Sequence, residues 1–247
     1  MKSKYNKASV VFSLCMLIVF FFHGEICFAS RSIPDDNLGY PVLVNKDGNP
    51  IGTGFFVNTK SCTYFITAKH VLIKIGSVEP IANNLELMSY SKDLTDDSKN
   101  IFKLDMSILN KNNNVHIHKS LDVVSVLIGR SDKENHINFV EGISPISIAK
   151  LGIVGIGVDN IKKLTDVLIA NDVYVFGFPS SIGIKESPRF DYDRPLLRKG
   201  IVAGKSINLK SIVLDTPSYQ GNSGGPVLEV ENEGLGSYKI RLIGVIV

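Results

Sequence analysis

The chain has 247 residues, of which 44% are hydrophobic and 21% charged, and this composition is typical of a globular protein large enough for its own core. Its net charge is +3, and the first 29 residues supply +2 of that, because Lys2, Lys4 and Lys7 are opposed only by Glu25. The rest of the chain is nearly neutral, which excludes the basic surface that nucleic-acid-binding proteins use.

The N-terminal segment has the pattern of a signal peptide. Its three lysines precede an apolar run at residues 10–22, and small residues follow at Ala29 and Ser30. The apolar run has 13 residues, which is short for a membrane span of about 20 residues. We therefore predict a signal peptide at residues 1–29, export to the periplasm or the extracellular space, and no stable membrane span after removal of the leader. An uncleaved membrane anchor is the alternative.

Cysteine usage agrees with export without disulfides. Cys15 and Cys27 lie in the predicted leader, so Cys62 would be the single cysteine of the mature chain and could form no internal bridge. Cys62 lies in an apolar run, where we expect a buried and inert thiol. The sequence contains neither a CxxC nor an HExxH pattern, and we expect no metal and no organic cofactor.

After the leader, the chain has the pattern of many short strands. Runs of β-branched and aromatic residues are separated by Gly, Asn, Asp and Pro, and helical periodicity is weak. Strands are predicted at residues 40–44, 52–57, 62–67, 101–109, 115–117, 122–128, 172–176, 200–204, 211–214, 226–230 and 238–247. Residues 89–100 are predicted as a loop, 110–114 as a hairpin turn and 159–170 as one short helix. This pattern predicts an all-β sandwich or barrel.

Ser223 lies in a glycine-dense stretch, Gly221-Asn-Ser-Gly-Gly-Pro226, between two apolar runs. Glycines around a serine let the backbone fold so tightly that several N–H groups point at one spot, where they can stabilise an oxyanion. The same letters fit the nucleophile elbow of α/β-hydrolases, in which the catalytic acid and histidine follow the serine. All five histidines precede Ser223, which excludes the elbow. A turn that merely connects two strands is the remaining alternative.

A serine nucleophile needs a base, and the base needs an orienting acid. His70 stands between two apolar runs, which predicts a position at the end of a strand, facing a cleft. Asp122 leads directly into a predicted buried strand; alone it indicates a turn, but beside His70 and Ser223 it is the candidate acid. The remaining histidines lie in the leader, on a predicted solvated strand face or in a polar stretch: His23, His116, His118 and His136.

Together these residues resemble the trypsin-like (chymotrypsin-fold) serine peptidases, bacterial type. The resemblance covers most of residues 40–247 in the order His, Asp, Ser, and it rests on Gly52-Thr-Gly-Phe-Phe-Val57, Thr67-Ala-Lys-His70, Leu121-Asp-Val-Val-Ser-Val126 and Gly221-Asn-Ser-Gly-Gly-Pro226. It implies an all-β fold of two antiparallel six-stranded β-barrels with the active site in the cleft between them. The N-terminal barrel would span residues 30–140 and carry His70 and Asp122. The C-terminal barrel would span residues 141–247, carry Ser223 and be incomplete at its end.

The resemblance also implies a function, that of an exported serine endopeptidase. Ser223 would attack the scissile carbonyl, His70 would act as the base and Asp122 would orient the imidazole. The backbone amides of Gly221 and Ser223 would form the oxyanion hole. The expected partners are polypeptide substrates and not nucleic acid. The alternative is a catalytically inactive relative that binds proteins or peptides.

The sequence departs from this family at three places. Asn222 stands where digestive members carry an Asp that pairs with a new N-terminus, and because Asn222 is uncharged we predict no activation by that route. Pro217 and Ser218 occupy the expected floor of the substrate pocket, and neither is charged, which disfavours cleavage after Arg or Lys. The family continues past a strand like residues 243–247, whereas this sequence ends at Val247. We therefore expect either an incomplete chain or an unusual substrate cleft.

Overall fold

Short runs of β-branched and aromatic residues form strands along the chain, as their separation by turn residues predicts. The computed structural model describes residues 33–93, 95–132, 134, 136–180, 191, 194–234 and 237–247. Within these residues the strands are β1 (Pro41–Lys46), β2 (Asn49–Asn58), β3 (Cys62–Thr67), β4 (Asn84–Tyr90), β5 (Lys99–Asp105), β6 (Val115–Ile117), β7 (Val124–Ser131), β8 (Ile137–Phe139), β9 (Ile143–Ser147), β10 (Gly155–Gly157), β11 (Asp172–Gly177), β12 (Leu196–Ser206), β13 (Ser211–Asp215), β14 (Pro226–Gly234) and β15 (Ser237–Val245).

Two short α-helices interrupt the strands. The helix Lys69–Leu72 follows β3, so His70 lies in a helical turn and not at the end of a strand as predicted. The helix Met106–Lys111 replaces the second half of the strand predicted at residues 101–109. Its start is fixed by the Asp105 carboxylate, which accepts hydrogen bonds from the amides of Ser107 and Ile108, both at 3.0 Å. The alternating pattern misled because this cap favours a helix that buries residues three apart, Met106 and Leu109.

The helix predicted at residues 159–170 is wrong. Two separate 3-10 turns, Val158–Asn160 and Leu164–Asp166, form there, and a third such turn lies at Asp35–Gly39. Between the two turns the Lys162 amide donates to the Leu242 carbonyl at 2.8 Å, so pairing with β15 replaces a helical hydrogen bond. The loop predicted at residues 89–100 is shorter than expected, because β4 ends at Tyr90 and β5 begins at Lys99.

The first sheet curls around an apolar interior. Its order is β6-β7-β3-β2-β1-β4-β5-β9, with β10 paired to β2 and β8 paired to β7. Phe56, Phe65 and Phe102 are fully buried at its centre. The Phe56 ring makes edge contacts with both others, at centroid distances of 5.9 Å to Phe65 and 6.0 Å to Phe102. Aromatic rings prefer this arrangement, which fixes the curvature of the sheet from inside.

The second sheet packs one of its faces against the first sheet. Its order is β13-β12-β11-β14-β15, and every pair is antiparallel. Phe55 of β2 shares a buried cluster with Phe176 of β11 and Leu228 of β14. The opposite, inner face is lined by valines, among them Val175, because successive residues of a strand point to opposite faces. The strand β2 therefore connects the two sheets.

The structure confirms the all-β class, and its curled half-barrel sheet and second sheet are consistent with the predicted fold of two β-barrels. Among the described residues the sheets have ten and five strands, where six and six were expected, because short strands such as β6, β8 and β10 extend the first sheet. The strands β9 and β10 pair with the first sheet although the predicted domain boundary falls at residue 140. Burial of Ile143 and Ile156 accompanies this pairing. The division into domains stays a prediction, and the predicted leader, residues 1–29, lies outside the described residues.

Candidate active site

The segment around Ser223 folds into two consecutive turns. The amide of Asn222 donates to the Tyr219 carbonyl at 3.0 Å, and the amide of Gly225 donates to the Asn222 carbonyl at 2.9 Å. The third residue of each turn is a glycine with positive φ, +96° at Gly221 and +88° at Gly224. Type II turns require this conformation, which glycine adopts at no steric cost. The two glycines therefore let the chain reverse twice, with Ser223 between them.

Thr53 of β2 fastens this double turn to the first sheet. Its amide donates to the Ser223 carbonyl at 2.8 Å, and its hydroxyl donates to the Gly221 carbonyl at 2.6 Å. The same hydroxyl oxygen accepts a hydrogen bond from the Phe178 amide at 3.1 Å. Gly52 allows β2 to pack this closely, because a Cβ at Gly52 would lie 2.8 Å from the Val71 side chain. Thr53 therefore positions the double turn. Its motif, Gly52-Thr-Gly-Phe-Phe-Val57, does not by itself predict this role.

His70 and Asp122 are in direct contact. Asp122 Oδ1 accepts a hydrogen bond from the His70 backbone amide at 3.0 Å, and Asp122 Oδ2 lies 2.6 Å from His70 Nδ1. The Lys69 amide donates to the Asp122 carbonyl at 3.2 Å. The first amides of a helix have no partner within it, so Asp122 caps the helix Lys69–Leu72 and orients the imidazole at the same time. If Nδ1 carries the proton, Nε2 presents its lone pair.

The hydrogen bonds from His70 set the charge of Asp122. Burial works to raise the pKa of Asp122, but the hydrogen bonds from the His70 ring and amide outweigh it and hold that pKa below its ordinary value. Asp122 is therefore negatively charged at neutral pH. A carboxylate at Nδ1 favours the tautomer with a proton on Nδ1 and can stabilise an imidazolium.

Two amides of the double turn have no partner in the part of the chain that the structure describes. Neither the Gly221 amide nor the Ser223 amide donates a hydrogen bond there, whereas the Asn222 amide between them is used within the turn. Two unpaired N–H groups beside a serine are the donors that an oxyanion hole needs. The family resemblance implies this role for both amides, and the role stays a prediction.

The structure brings Ser223 close to the segment that carries His70 but forms no hydrogen bond between the two side chains. Gly224 contacts Thr67 and Ala68, the two residues that precede the helix of His70. Within the described residues the Ser223 hydroxyl has no hydrogen-bond partner. Of the three predicted triad residues, His70 and Asp122 are therefore paired, and Ser223 lies on the adjacent turn with its hydroxyl unpaired.

The Asn222 side chain is fully buried beneath this turn. Neither its Oδ1 nor its Nδ2 has a hydrogen-bond partner among the described residues. The side chain lies against Gly177, where a Cβ would be 2.8 Å from Asn222 Oδ1. A charged group at this position would be desolvated at considerable cost, which a neutral amide avoids. Absence of activation by a new N-terminus stays a prediction.

A cavity of about 740 Å³ opens beside Asp122, between residues 121–123 and the inner face of the second sheet. Its walls are mostly apolar side chains of β13 and of the end of β15. Ser218, predicted to line the substrate pocket, lines this cavity, whereas Pro217 is exposed and is not part of the wall. The cavity therefore adjoins the candidate acid and the segment that precedes the double turn.

His118 has a structural role that its sequence pattern did not indicate. Its ring folds back onto the chain, where Nδ1 accepts hydrogen bonds from the amides of Ser120 at 3.2 Å and Leu121 at 2.9 Å. Its own amide donates to the Val123 carbonyl at 3.0 Å. These bonds close the turn that presents Asp122. Alternation had instead predicted a solvated strand face, because a side chain that binds its own backbone leaves no periodic signal.

The described residues offer no group of three or more His, Cys, Asp or Glu side chains that could hold a metal ion. Cys62 is buried, as predicted. None of the helices in the described part of the chain has the length and apolar character needed to cross a membrane.

Comparison with known families agrees with this geometry. The family described as the trypsin-like peptidase domain matches residues 52–236, a range that contains His70, Asp122 and Ser223. No curated protein matches the chain. The family match extends over well more than half of the sequence, and the two-sheet all-β fold agrees with it. The chain belongs to the family of trypsin-like peptidase domains.

Proposed function

We propose that this protein is an exported serine endopeptidase that cleaves polypeptides through an acyl-enzyme intermediate. The carboxylate of Asp122 holds the His70 ring, Nε2 of His70 accepts the proton of the Ser223 hydroxyl, and the Ser223 oxygen attacks the scissile carbonyl. The amides of Gly221 and Ser223 stabilise the oxyanion that forms. His70 then gives its proton to the leaving amine. In the second half of the reaction His70 accepts a proton from water, the water oxygen attacks the acyl carbonyl, and His70 returns the proton to the Ser223 oxygen as the acyl group leaves.

The observation that carries this proposal is the double contact between Asp122 and His70. A surface histidine held only by its ring could rotate, whereas here the same carboxylate also binds the backbone amide at 3.0 Å. The ring is therefore oriented relative to its own helix, which is adjacent to the turn of Ser223. Hydrogen bonds between nucleophile and base often form only when substrate is bound, and the proposal requires this for Ser223 and His70.

A catalytically inactive binding protein is the second candidate. The unpaired hydroxyl of Ser223 favours it, because an inactive relative needs no hydrogen bond between that hydroxyl and His70, whereas the enzyme must form one when substrate binds. The family match and the pairing of His70 with Asp122 favour the enzyme. Export is also part of the proposal, and it is supported by the lysines and the apolar run that open the sequence.

Labelling by a fluorophosphonate probe tests the proposed activity. We expect covalent labelling of the wild-type protein and none of the Ser223→Ala variant. Ser147→Ala, which removes an exposed hydroxyl on β9, is the matched control and should label like the wild type. A folded wild-type protein that takes up no probe would support the binding protein instead. Labelling that persists in Ser223→Ala would assign the reactive hydroxyl to another residue.

A further inference from the structure

Arg198 places a positive charge on the apolar inner face of the second sheet. It lies opposite Val175 in the pairing of β11 with β12, and Val175 is fully buried in the valine cluster of that face. Residues paired directly across two antiparallel strands point to the same side. A guanidinium among valines is unexpected for a purely structural position, because charged groups in apolar surroundings are normally paired.

The guanidinium is held in place but has no anionic partner among the described residues. Its central carbon lies 4.5 Å from the centre of the Tyr219 ring, a cation–π contact. Nη1 is fully buried without a hydrogen-bond partner, and no described residue forms an ion pair with Arg198. Nε and Nη2 are also unpaired, and unlike Nη1 they are not fully buried. One edge of the guanidinium therefore stays accessible while the group itself is fixed.

The acidic residues next to Arg198 along the chain or across the sheet are directed elsewhere. Asp172 is paired with Lys199 at 2.7 Å. Asp215 lies opposite Ile201 in β12, so it points to the face of the sheet opposite to that of Arg198. Burial also lowers the pKa of Arg198, which reflects the cost of keeping this charge partly away from water. This partly desolvated cation therefore has no anionic partner in the part of the chain that the structure describes.

Arg198 contacts the segment that leads into the double turn. Gly200 has no side chain, and a Cβ there would lie 2.5 Å from Cβ of Thr216, so the chain at Thr216 lies close against β12. The Thr216 hydroxyl donates to the Lys199 carbonyl at 3.5 Å. Tyr219, which stacks on Arg198, also accepts the hydrogen bond that closes the first of the two turns. The accessible edge of Arg198 is therefore next to the segment that leads to Gly221, whose amide is a candidate donor of the oxyanion hole.

We infer that Arg198 binds an acidic side chain of the substrate, so that the protein cleaves preferentially after Glu or Asp. This inference rests on the proposed peptidase function. A planar guanidinium with one free edge matches a carboxylate bidentately, which gives both affinity and orientation. A substrate residue whose carbonyl bound at the Gly221 and Ser223 amides could reach Arg198 with a side chain that extends along the segment preceding Gly221, because Tyr219 of that segment stacks on Arg198. An uncharged glutamine leaves the cation unpaired, so we expect it to be a poorer substrate by about 10-fold to 100-fold.

Cleavage of matched peptides tests this inference. The peptides carry an amidated C-terminus and differ only in Glu, Gln or Leu before the scissile bond; a fourth peptide carries Gln and a free C-terminal carboxylate. We expect the highest kcat/KM for the Glu peptide with the wild-type protein. Arg198→Met should lose this preference, so that its kcat/KM for the Glu peptide no longer exceeds that for the Gln peptide. Lys199→Met, which removes a neighbouring cation that is already paired with Asp172, should keep the preference.

The outcomes separate this inference from the proposed function. Wild-type protein that labels with fluorophosphonate but cleaves the Gln or Leu peptide at least as fast as the Glu peptide would overturn the inference alone. Preference for the peptide with the free C-terminus would also overturn it, since the carboxylate would then not come from a side chain. Failure of the wild type to label would overturn the function and the inference with it. If Arg198→Met does not fold, Arg198→Lys replaces it and should reduce the Glu preference, because lysine cannot bind bidentately.

Discussion

Asp122 binds His70 at two points, through the backbone amide at 3.0 Å and through ring Nδ1 at 2.6 Å. One carboxylate thus fixes both the start of a helix and the direction of the imidazole on it. Both side chains remain more than a third exposed, so the pair is reachable from solvent and contributes orientation more than stability.

Replacing Asp122 with Asn should separate orientation from charge. The introduced side-chain amide would fill the same space as the carboxylate but could donate to Nδ1, which favours the wrong tautomer of His70. We expect kcat to fall by about 10⁴-fold, the size seen when a triad aspartate is replaced in this way. The rate of peptide hydrolysis near neutral pH measures this loss of kcat, and thermal unfolding is the control for correct folding. A loss below about 10-fold would mean that Asp122 is not the acid of the triad.

Part of the fold around the candidate site follows from the sequence, and part of it does not. Strand β3 has the predicted bounds, because consecutive β-branched and aromatic residues leave few alternatives. The pattern of apolar residues does not predict the helix Met106–Lys111, because Met106 and Ile108 fit the alternation of a strand. Asp105 followed by Ser107 is a recognisable helix start, so this signal was available.

Other features could not be predicted because they depend on contacts between distant parts of the chain. Thr53 binds Gly221 and Ser223 across 168 and 170 positions of sequence. Arg198 has no periodic signature, since its charge breaks the alternation of apolar residues in β12. Motifs indicate which residues belong to a site, whereas the hydrogen bonds that hold the site together follow only from the fold.

His118 should act as a positioning residue for Asp122. Replacement by Ala removes the acceptor for the amides of Ser120 and Leu121 and loosens the turn that presents the carboxylate. We expect kcat to fall by about 10-fold to 100-fold with KM nearly unchanged, because misplacement of a catalytic group costs this much. Asn at this position can accept through its side-chain oxygen and should restore much of the lost kcat.

Steady-state kinetics of His118→Ala and His118→Asn test this role, with His116→Ala as the control. His116 is exposed on β6, and its side chain forms no hydrogen bond with any described residue. Equal losses of kcat in His118→Ala and His118→Asn would contradict positioning by the acceptor, and so would a loss in KM alone.

A negative charge beneath the nucleophile should be strongly destabilising. Asn222→Asp changes the shape of the buried side chain very little but introduces a carboxylate with no cation among the described residues. We expect the free energy of unfolding to fall by about 3 kcal/mol or more at neutral pH, because uncompensated buried charges cost this much. Thermal unfolding of Asn222→Asp, Asn222→Ala and the wild type measures it. Asn222→Asp as stable as the wild type would contradict the presence of an uncompensated buried charge at this position.

The ion cluster of Lys162 should stabilise the second sheet. Lys162 Nζ lies 2.6 Å from Oε2 of Glu229, whose side chain is fully buried, and it also pairs with Glu231. Lys162→Met leaves the Glu229 charge buried without its cation, and we expect a loss of about 3 to 5 kcal/mol in the free energy of unfolding. The control Lys199→Met removes a cation from an exposed pair and should cost at most about 1 kcal/mol. Similar losses in both variants would mean that solvent compensates the charge of Glu229.

The contribution of Lys162 to stability should depend on pH in the alkaline range. Burial works to lower the pKa of Lys162, but the hydrogen bonds that Lys162 donates to the carboxylates of Glu229 and Glu231 outweigh it and raise that pKa above its ordinary value of 10.5. A group with a raised pKa in the folded state contributes fully below its unfolded value and loses the contribution as pH rises through the folded value. The difference in Tm between the wild type and Lys162→Met should therefore be constant up to about pH 10 and shrink above it. A difference that grows with pH in that range would mean that Lys162 is charged more readily in the unfolded chain than in the folded one.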